Sequence, residues 1–453
     1  MASMRRPSFT FVDLFAGIGG FHAALSGMGG RCVYAVEIDP KAAAVYKANW
    51  GLDPLGDITQ DANDERVAVP QHDVLSAGFP CQPFSKSGSQ RGMDETRGTL
   101  YWNILKIIET HHPSVVLLEN VRNLAGPRHS HEWQVIIETL RAEGYRVADV
   151  PAVFSPHLLP RDRGGRPQVR ERVFITATHD PHGVTEGLPV EPVVRPVAID
   201  GWDPQWWDLA SDLPLDEDHH VQGCDLSSAE RRWISAWDDF VRIMLRERGG
   251  RRLPGFPLWA DSWVLTGELV VPAHTPAWKA DFLTKNAEFY TAHRRVIDAW
   301  AARWDLFGND FPPSRRKFEW QAQDAQTLWE CVLHLRPSGI RAKRATYLPA
   351  LVAITQTSII GPRERRLSPR EAARLQGLPE WFRFPDQSPA DSYRQLGNGV
   401  SVGAVWHVLR AHAERDADIL KDSNPALLRA ILGSPNNPDI TLENEHMGQH
   451  ASR

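Results

Sequence analysis

The sequence predicts an α/β fold: an open, mostly parallel sheet with helices on both faces, joined to a second, smaller domain. Three observations predict it. Between residues 8 and 179, short apolar runs alternate with stretches of helical spacing, the pattern of strand–helix–strand units. A glycine-rich turn at Gly17, Gly19 and Gly20 separates the first strand from the first helix. The composition then shifts near Asp180, and from there to about Ile360 the chain is rich in proline and holds twelve of the seventeen tryptophans.

The elements follow in order. Residues 8–14 (SFTFVDL) form a buried strand ending in the glycine turn, followed by a helix over 21–28. Residues 31–38 (RCVYAVEI) form a second strand, followed by an alanine-rich helix over 41–49. Strands at 72–77 and 114–118 run into GFPCQPFS and Glu119, a helix covers 132–141, and 172–178 form a further strand. In the second region, expected to be less regular, 228–246 has helical spacing. Ser368-Pro-Arg-Glu starts a helix, with an N-cap, a proline at the first helical position and a capping-box glutamate. Residues 401–415 form a helix that returns to the first domain. The domains therefore read 8–179, 180–362 and a return over 363–417. Residues 434–453, polar with little apolar content, are expected without fixed structure.

The 453 residues, 42% hydrophobic, are enough for two or three packed domains. No stretch approaches twenty apolar residues, so no membrane-spanning helix is expected, and the N-terminus does not read as a signal peptide. The four cysteines, Cys32, Cys81, Cys224 and Cys331, form no C-x-x-C pair, which argues against a zinc site or a disulfide framework and fits a reducing cytoplasm. The net charge is −5, but arginine and lysine concentrate at 161–172, at 315–317 with 336–344, and at 363–374. Such runs suit a basic groove that tracks phosphates on an acidic body; the plain alternative for each is a solvated face.

The first strand ends in DLFAGIGGF. Glycines there let the chain turn tightly and let a ligand approach the backbone. The second strand ends in Glu37, about twenty positions on, where a carboxylate suits ribose hydroxyls. Asp57 suits an adenine amino group, and Phe15 an adenine ring. Together they describe an adenosine-containing ligand without separating NAD from S-adenosylmethionine. GFPCQPFS follows a buried strand and so lies at the carboxyl edge of the sheet. Cys81 stands between Pro80 and Pro83, which hold the thiol in a set direction. The strand at 114–118 ends at the same edge in Glu119, where a carboxyl can hold a heterocycle while the sulfur attacks it. In QVRERVF, Arg170 and Arg172 are expected to serve different surfaces, one toward a base and the other toward the sheet or a phosphate.

DLFAGIGGF, VEIDP, GDI, GFPCQPFS, ENV, QVRERVF, RLSPREAARLQGLP and YRQLGNGVSV form an ordered set that resembles the DNA (cytosine-5) methyltransferase family of the bacterial restriction-modification type. The set covers about residues 10–178 and 365–412. The resemblance implies a Rossmann-like, S-adenosylmethionine-dependent methyltransferase fold and methyl transfer to a flipped-out cytosine in a short duplex DNA sequence. It implies Cys81 as nucleophile, Glu119 on ring nitrogen 3 and the amino group, Arg172 on the ring carbonyl and Arg170 in support. Phe15, Gly17, Gly19, Glu37 and Asp57, with Ile38 and Ile58 beside them, and Pro80 would bind the cofactor; Leu100, Asn398 and Ser401 would close over its methionine end. It implies no metal, and residues 180–362 as a target-recognition domain. Expected partners are double-stranded DNA and a restriction endonuclease acting on the same site, for a monomer at the bacterial nucleoid with no membrane contact. The glycine- and serine-rich loop 85–97 is expected to close over the base. The stretch RDRGGRP before QVRERVF and Gly399 after Asn398 depart from the family pattern. The alternatives are a transfer-RNA cytosine-5 methyltransferase, a catalytically silent DNA-binding protein on this fold, and a nicotinamide dehydrogenase, which has no use for GFPCQPFS.

Overall fold

Strands β1 (Phe9–Leu14), β2 (Gly30–Val36), β3 (Val74–Gly78) and β4 (Val115–Val121) arise from the apolar runs and pair in parallel, in the spatial order β2-β1-β3-β4. The computed structural model describes residues 7–80, 99–183, 189–216, 220–351 and 357–443. The central strands are buried along nearly their whole length because helices cover both faces. Past β4 the sheet changes direction. The strands β5 (Tyr145–Val147), β6 (Ala152–Phe154) and, after a short β7 (Gln168–Val169), β8 (Arg172–His179) complete it. β8 runs antiparallel to β4, and β5 and β6 antiparallel to β8. The expected parallel pairing therefore holds for the first four strands, and the other half of the sheet is antiparallel.

Alternating side chains of the sheet feed two cores. Phe9, Phe11, Val74 and Leu117 pack on one face; Val12, Leu14, Leu75, Val116 and Leu118 pack on the other. The helices α1 (Gly20–Gly27), α2 (Pro40–Trp50), the short α3 (Ile58–Asp61), α4 (Leu100–His111) and α5 (Ser130–Ala142) cover the sheet. Helix α4 escapes the sequence pattern because Ile104, Leu105, Ile107 and Ile108 are all buried, which blurs the amphipathic stripe.

The second unit is more regular than expected. It combines α6 (Ser228–Glu247) and the 28-residue α7 (Ala277–Trp304) with a six-stranded sheet. The sheet's strands are β9 (Leu258–Trp259), β10 (Lys317–Gln321), β11 (Cys331–Arg336), β12 (Gly339–Arg344), β14 (Ile359–Ile360) and β15 (Arg365–Arg366), while β13 (Leu348–Pro349) pairs with β7. Its tryptophans build a core: the Trp237 ring stacks on Phe318 with centroids 4.7 Å apart, and its indole N–H donates to the Arg315 carbonyl at 2.8 Å. This core runs from Leu226 to Ile359. The chain just after Asp180 belongs elsewhere: Val194, Leu209 and Leu213 pack in a core of the first unit, and the Trp207 indole donates to the His157 carbonyl at 2.9 Å.

The return comprises α8 (Pro369–Gln376), α9 (Pro389–Asn398), α10 (Val402–Arg415), α11 (Ala417–Ser423) and α12 (Pro425–Gly433). Ser368 and Glu371 form the expected capping box of α8. The segment 434–443 corrects an expectation of disorder. Leu442 is buried, its carbonyl accepts from the Trp381 indole at 2.9 Å, and Asp439 pairs with Arg166 at 2.6 Å. One apolar anchor and two polar ties suffice here, and average composition hides them. Residues 444–453 lie outside the described residues.

Much of two basic runs is taken up inside the fold. Arg365 and Glu371 form a fully buried pair at 2.9 Å, Arg366 pairs with Glu230, and Arg374 holds Asp216 and Glu380 at 2.9 and 2.7 Å. In the first run Arg166, Arg170 and Arg172 are likewise engaged by protein groups. The expected phosphate-tracking groove therefore does not draw on these residues. On β12 Arg341 and Lys343 are half-buried and Arg344 is exposed.

Candidate active site

The glycine turn carries its chain through left-handed conformations at Phe15 (φ 56°), Gly17 (φ 55°) and Gly19 (φ 91°). It is tied to the next strand end by Glu37. The Gly17 N–H donates to one carboxylate oxygen of Glu37 and the Asp39 N–H to the other, each at 2.8 Å. An ionised carboxylate has about four acceptor positions, so these bonds orient Glu37 and leave capacity for hydroxyl donors. Asp57 caps α3, with its Oδ1 accepting from the Thr59 N–H at 2.9 Å and hydroxyl at 2.8 Å.

These strand ends enclose a cavity of about 480 Å³. Phe15, Gly17, Glu37, Ile38, Asp57 and Ile58 line one side; Pro80, Leu100 and Asn398 line it as well. Glu119 and Arg172 complete the wall. The antiparallel pairing of β4 with β8 brings these two together: the Glu119 carboxylate meets the Arg172 Nε at 2.9 Å. Glu119 is buried. Burial pushes its carboxyl above the usual carboxylate range, and the nearby Arg172 and Arg170 charges pull it part of the way back. A raised carboxyl pKa widens the pH range in which the acid is protonated and can donate a hydrogen bond.

Arg170 lies between β7 and β8 and does not line the cavity. Its guanidinium donates to the Leu351 carbonyl at 3.1 Å, the Gly397 carbonyl at 2.8 Å and the Gly399 carbonyl. It faces backbone carbonyls, not a phosphate, and braces the C-terminal end of α9, which carries Asn398. Burial and the neighbouring Arg172 push its pKa down to about 9. Gly19 also lies off the cavity. A methyl there would come within 2.0 Å of the Trp50 indole nitrogen, so this glycine serves the packing of α1 against α2. Ser401 is the buried N-cap position of α10, behind the cavity wall. Cys81 and the loop 85–97 lie outside the described residues; Pro80, which precedes Cys81, is at the cavity.

Two groups at the site carry no assignment from the sequence reading. The Asn120 amide donates to the Phe79 carbonyl at 2.8 Å and locks the end of β4 to the end of β3. Arg394 lines the cavity and bridges Asp39 at 3.3 Å and Asp391 at 3.2 Å. Both residues sit inside recognised motifs, ENV and YRQLGNGVSV, but a motif does not say which side chains turn inward. Among the described residues no cluster of His, Cys, Asp and Glu could hold a metal, and no helix is long and apolar enough to cross a membrane.

A half-antiparallel α/β sheet with a nucleoside-sized cleft at its carboxyl edge is a Rossmann-like fold, and the sequence comparisons say which class of enzyme it serves. The sequence model of C-5 cytosine-specific DNA methylases matches residues 9–414, and the chain belongs to that family. It is 49% identical to the Type II methyltransferase M.AluI of Cellulosimicrobium cellulans over 97% of this chain and 98% of that protein. It is 31% identical to the Type II methyltransferase M.NlaX of Neisseria lactamica over 90% of this chain and 96% of that protein. The chain is a DNA cytosine-5 methyltransferase.

Proposed function

We propose that this enzyme methylates carbon 5 of a cytosine flipped out of a short, specific duplex sequence, through a covalent bond between Cys81 and the base, with S-adenosylmethionine as donor. The observation that carries this reading is the buried Glu119–Arg172 pair in the wall of the cavity, 2.9 Å apart. When bound, S-adenosylmethionine supplies an electrophilic methyl group. The cavity suits it: the Phe15 ring for the adenine, the oriented Glu37 carboxylate for the ribose hydroxyls, Asp57 for the adenine amino group, and Pro80, Leu100 and Asn398 toward the methionine end.

The residues of the chain do the rest. Carbon 5 of cytosine is a poor nucleophile. The Cys81 thiolate adds to carbon 6, forming a carbon–sulfur bond and turning the ring into an enamine whose carbon 5 is nucleophilic. Protonated Glu119 donates to ring nitrogen 3 and accepts from the exocyclic amino group, while Arg172 donates to the ring carbonyl; both stabilise charge developing on the ring. After methylation, carbon 5 loses its proton and the Cys81–carbon bond breaks, restoring the aromatic ring and the thiolate. A base stacked in a duplex is out of reach of such a pocket, so it is extruded first. The unit whose core starts at Leu226 would then recognise the target sequence. The relatives are named Type II methyltransferases; our reading for this chain is a monomeric modification enzyme at the bacterial nucleoid, beside an endonuclease acting on the same site.

The test is methyl transfer from labelled S-adenosylmethionine to duplex DNA and to transfer RNA side by side, with bisulfite sequencing of the DNA. Label in DNA at one short repeated sequence is the expected result. Label in neither substrate, with cofactor binding intact, would favour a silent DNA-binding protein. Duplexes carrying 5-fluorocytosine test the covalent step, because fluorine cannot leave carbon 5 as the proton does. A trapped protein–DNA adduct requiring Cys81 is expected, and the absence of an adduct from an active enzyme would sink the covalent route.

A further inference from the structure

The second sheet has two unlike faces. Phe318, Trp320, Leu333, Leu335, Ile340 and Ala342 turn into the core. The alternate positions of the same strands, Glu319 on β10, His334 and Arg336 on β11, Arg341 and Lys343 on β12, form a polar face. In register, Glu319 and His334 flank Arg341 from either side. Glu319 binds both arginines: one carboxylate oxygen accepts from Arg336 Nη2 at 2.5 Å, the other meets Arg341 Nη2 at 2.9 Å. About a third of each arginine side chain is exposed, 32% and 35%, against 16% for Glu319, so the acid lies beneath the two guanidinium groups.

This face is linked to the active site through a neighbouring groove. Arg336 and His334 share a groove of about 460 Å³ with Leu351 and Tyr393. The Leu351 carbonyl is held by Arg170, two residues from Arg172. At the other end Lys343 Nζ lies 3.3 Å from the centroid of the Tyr347 ring, and that ring neighbours His157, with centroids 5.4 Å apart. An arginine held from behind by a carboxylate keeps its planar fork in one orientation, and the ordering cost of binding is then partly met in advance. Guanine offers a matching pair of acceptors, O6 and N7, in the major groove.

We infer that Arg336 and Arg341, oriented by Glu319, read a guanine edge in the target sequence, while Lys343 contacts a backbone phosphate. The inference rests on the reading of the second unit as the target-recognition domain. Two substitution types separate the roles: Arg336→Lys and Arg341→Lys keep the charge and remove the fork, and Lys343→Gln removes a charge.

The experiment is bisulfite sequencing of a randomised duplex pool methylated by the full-length enzyme and its variants, with duplex binding by fluorescence anisotropy across salt concentrations and thermal melting. In the arginine variants, preference for guanine at one position should fall about tenfold or more with the salt slope unchanged. Lys343→Gln should weaken binding to all duplexes alike and reduce the salt slope by about one. A wild-type site profile in the double Arg336→Lys, Arg341→Lys variant would overturn the inference and leave the Glu319 cluster a brace of the fold. If that variant melts early, the isosteric Glu319→Gln decides: relaxed guanine preference supports the inference, and an unchanged profile overturns it. A wild-type enzyme that methylates DNA without sequence preference would instead fail the underlying domain reading, a result visible before any variant is made.

Discussion

Both units of this enzyme hold arginines against protein groups, and they hold them differently. Arg170 and Arg172 leave neighbouring positions of one chain segment, the first buried against three backbone carbonyls, the second paired with a buried acid inside the cavity. Arg336 and Arg341 stand on a sheet face, paired with one carboxylate beneath them and still partly in contact with water. The contrast fits the roles proposed for the two sites. A site for one reaction gains from desolvation, which strengthens every charge interaction and shifts Glu119 toward its protonated form. A surface that meets polyanionic DNA must stay accessible, and its arginines need orientation more than burial.

The sharpest way to break this comparison is at the thiol. Cys81→Ala should abolish turnover and leave cofactor binding, followed by calorimetric titration, near wild type. Residual turnover within about tenfold of wild type would remove Cys81 from the mechanism. Next in size is Arg170→Met, which leaves the Leu351, Gly397 and Gly399 carbonyls without their charged donor. Urea denaturation should show a loss of about 1–3 kcal/mol for each carbonyl left buried without a donor. Unchanged stability would mean that Arg170 is no brace.

Glu119→Gln should slow methyl transfer by roughly 10²-fold, about 2.7 kcal/mol of barrier. The pH profile sharpens this point. The pKa of Glu119 is raised, so its protonated form is present below that value and lost as pH rises through it. Cys81 works in the opposite sense, its thiolate growing as pH rises. A bell-shaped kcat/KM profile is expected, with the alkaline limb flattened in Glu119→Gln; an alkaline limb that survives the substitution would assign it to another group. The smallest effects separate two glycines of one turn. At Gly17 (φ +55°) an added methyl meets no atom within 4 Å. Gly17→Ala should cost only the left-handed strain of about 1–2 kcal/mol while lowering cofactor affinity. Gly19→Ala meets the Trp50 indole and should lower the melting temperature instead. The reverse pattern would show that their roles are exchanged.

How much of this was legible beforehand depends on the range of the interaction. Ser368 and Glu371 announced a helix start because a capping box closes within three residues. Glu37 was found because a strand end about twenty positions after a glycine turn lies beside it in a parallel sheet. Helix α4 stayed hidden because it is buried on nearly every side. Arg365 looked like a phosphate ligand because a sequence displays its charge but not Glu371, folded against it out of water.

The sequence by itself determined the strand-ending motifs, their order and the chemistry of their side chains, since turn geometry, capping and the alternation of apolar residues act over a few positions. Tertiary structure alone decided that β8 runs back along β4 and sets Arg172 on Glu119, that Arg170 turns away to brace the end of α9 at Asn398, that Leu442 is buried, and that the arginines of the second sheet share one acid. Those outcomes depend on which distant strands become neighbours and in what register. A one-residue change of register moves every side chain to the opposite face, and no local rule states which register is adopted.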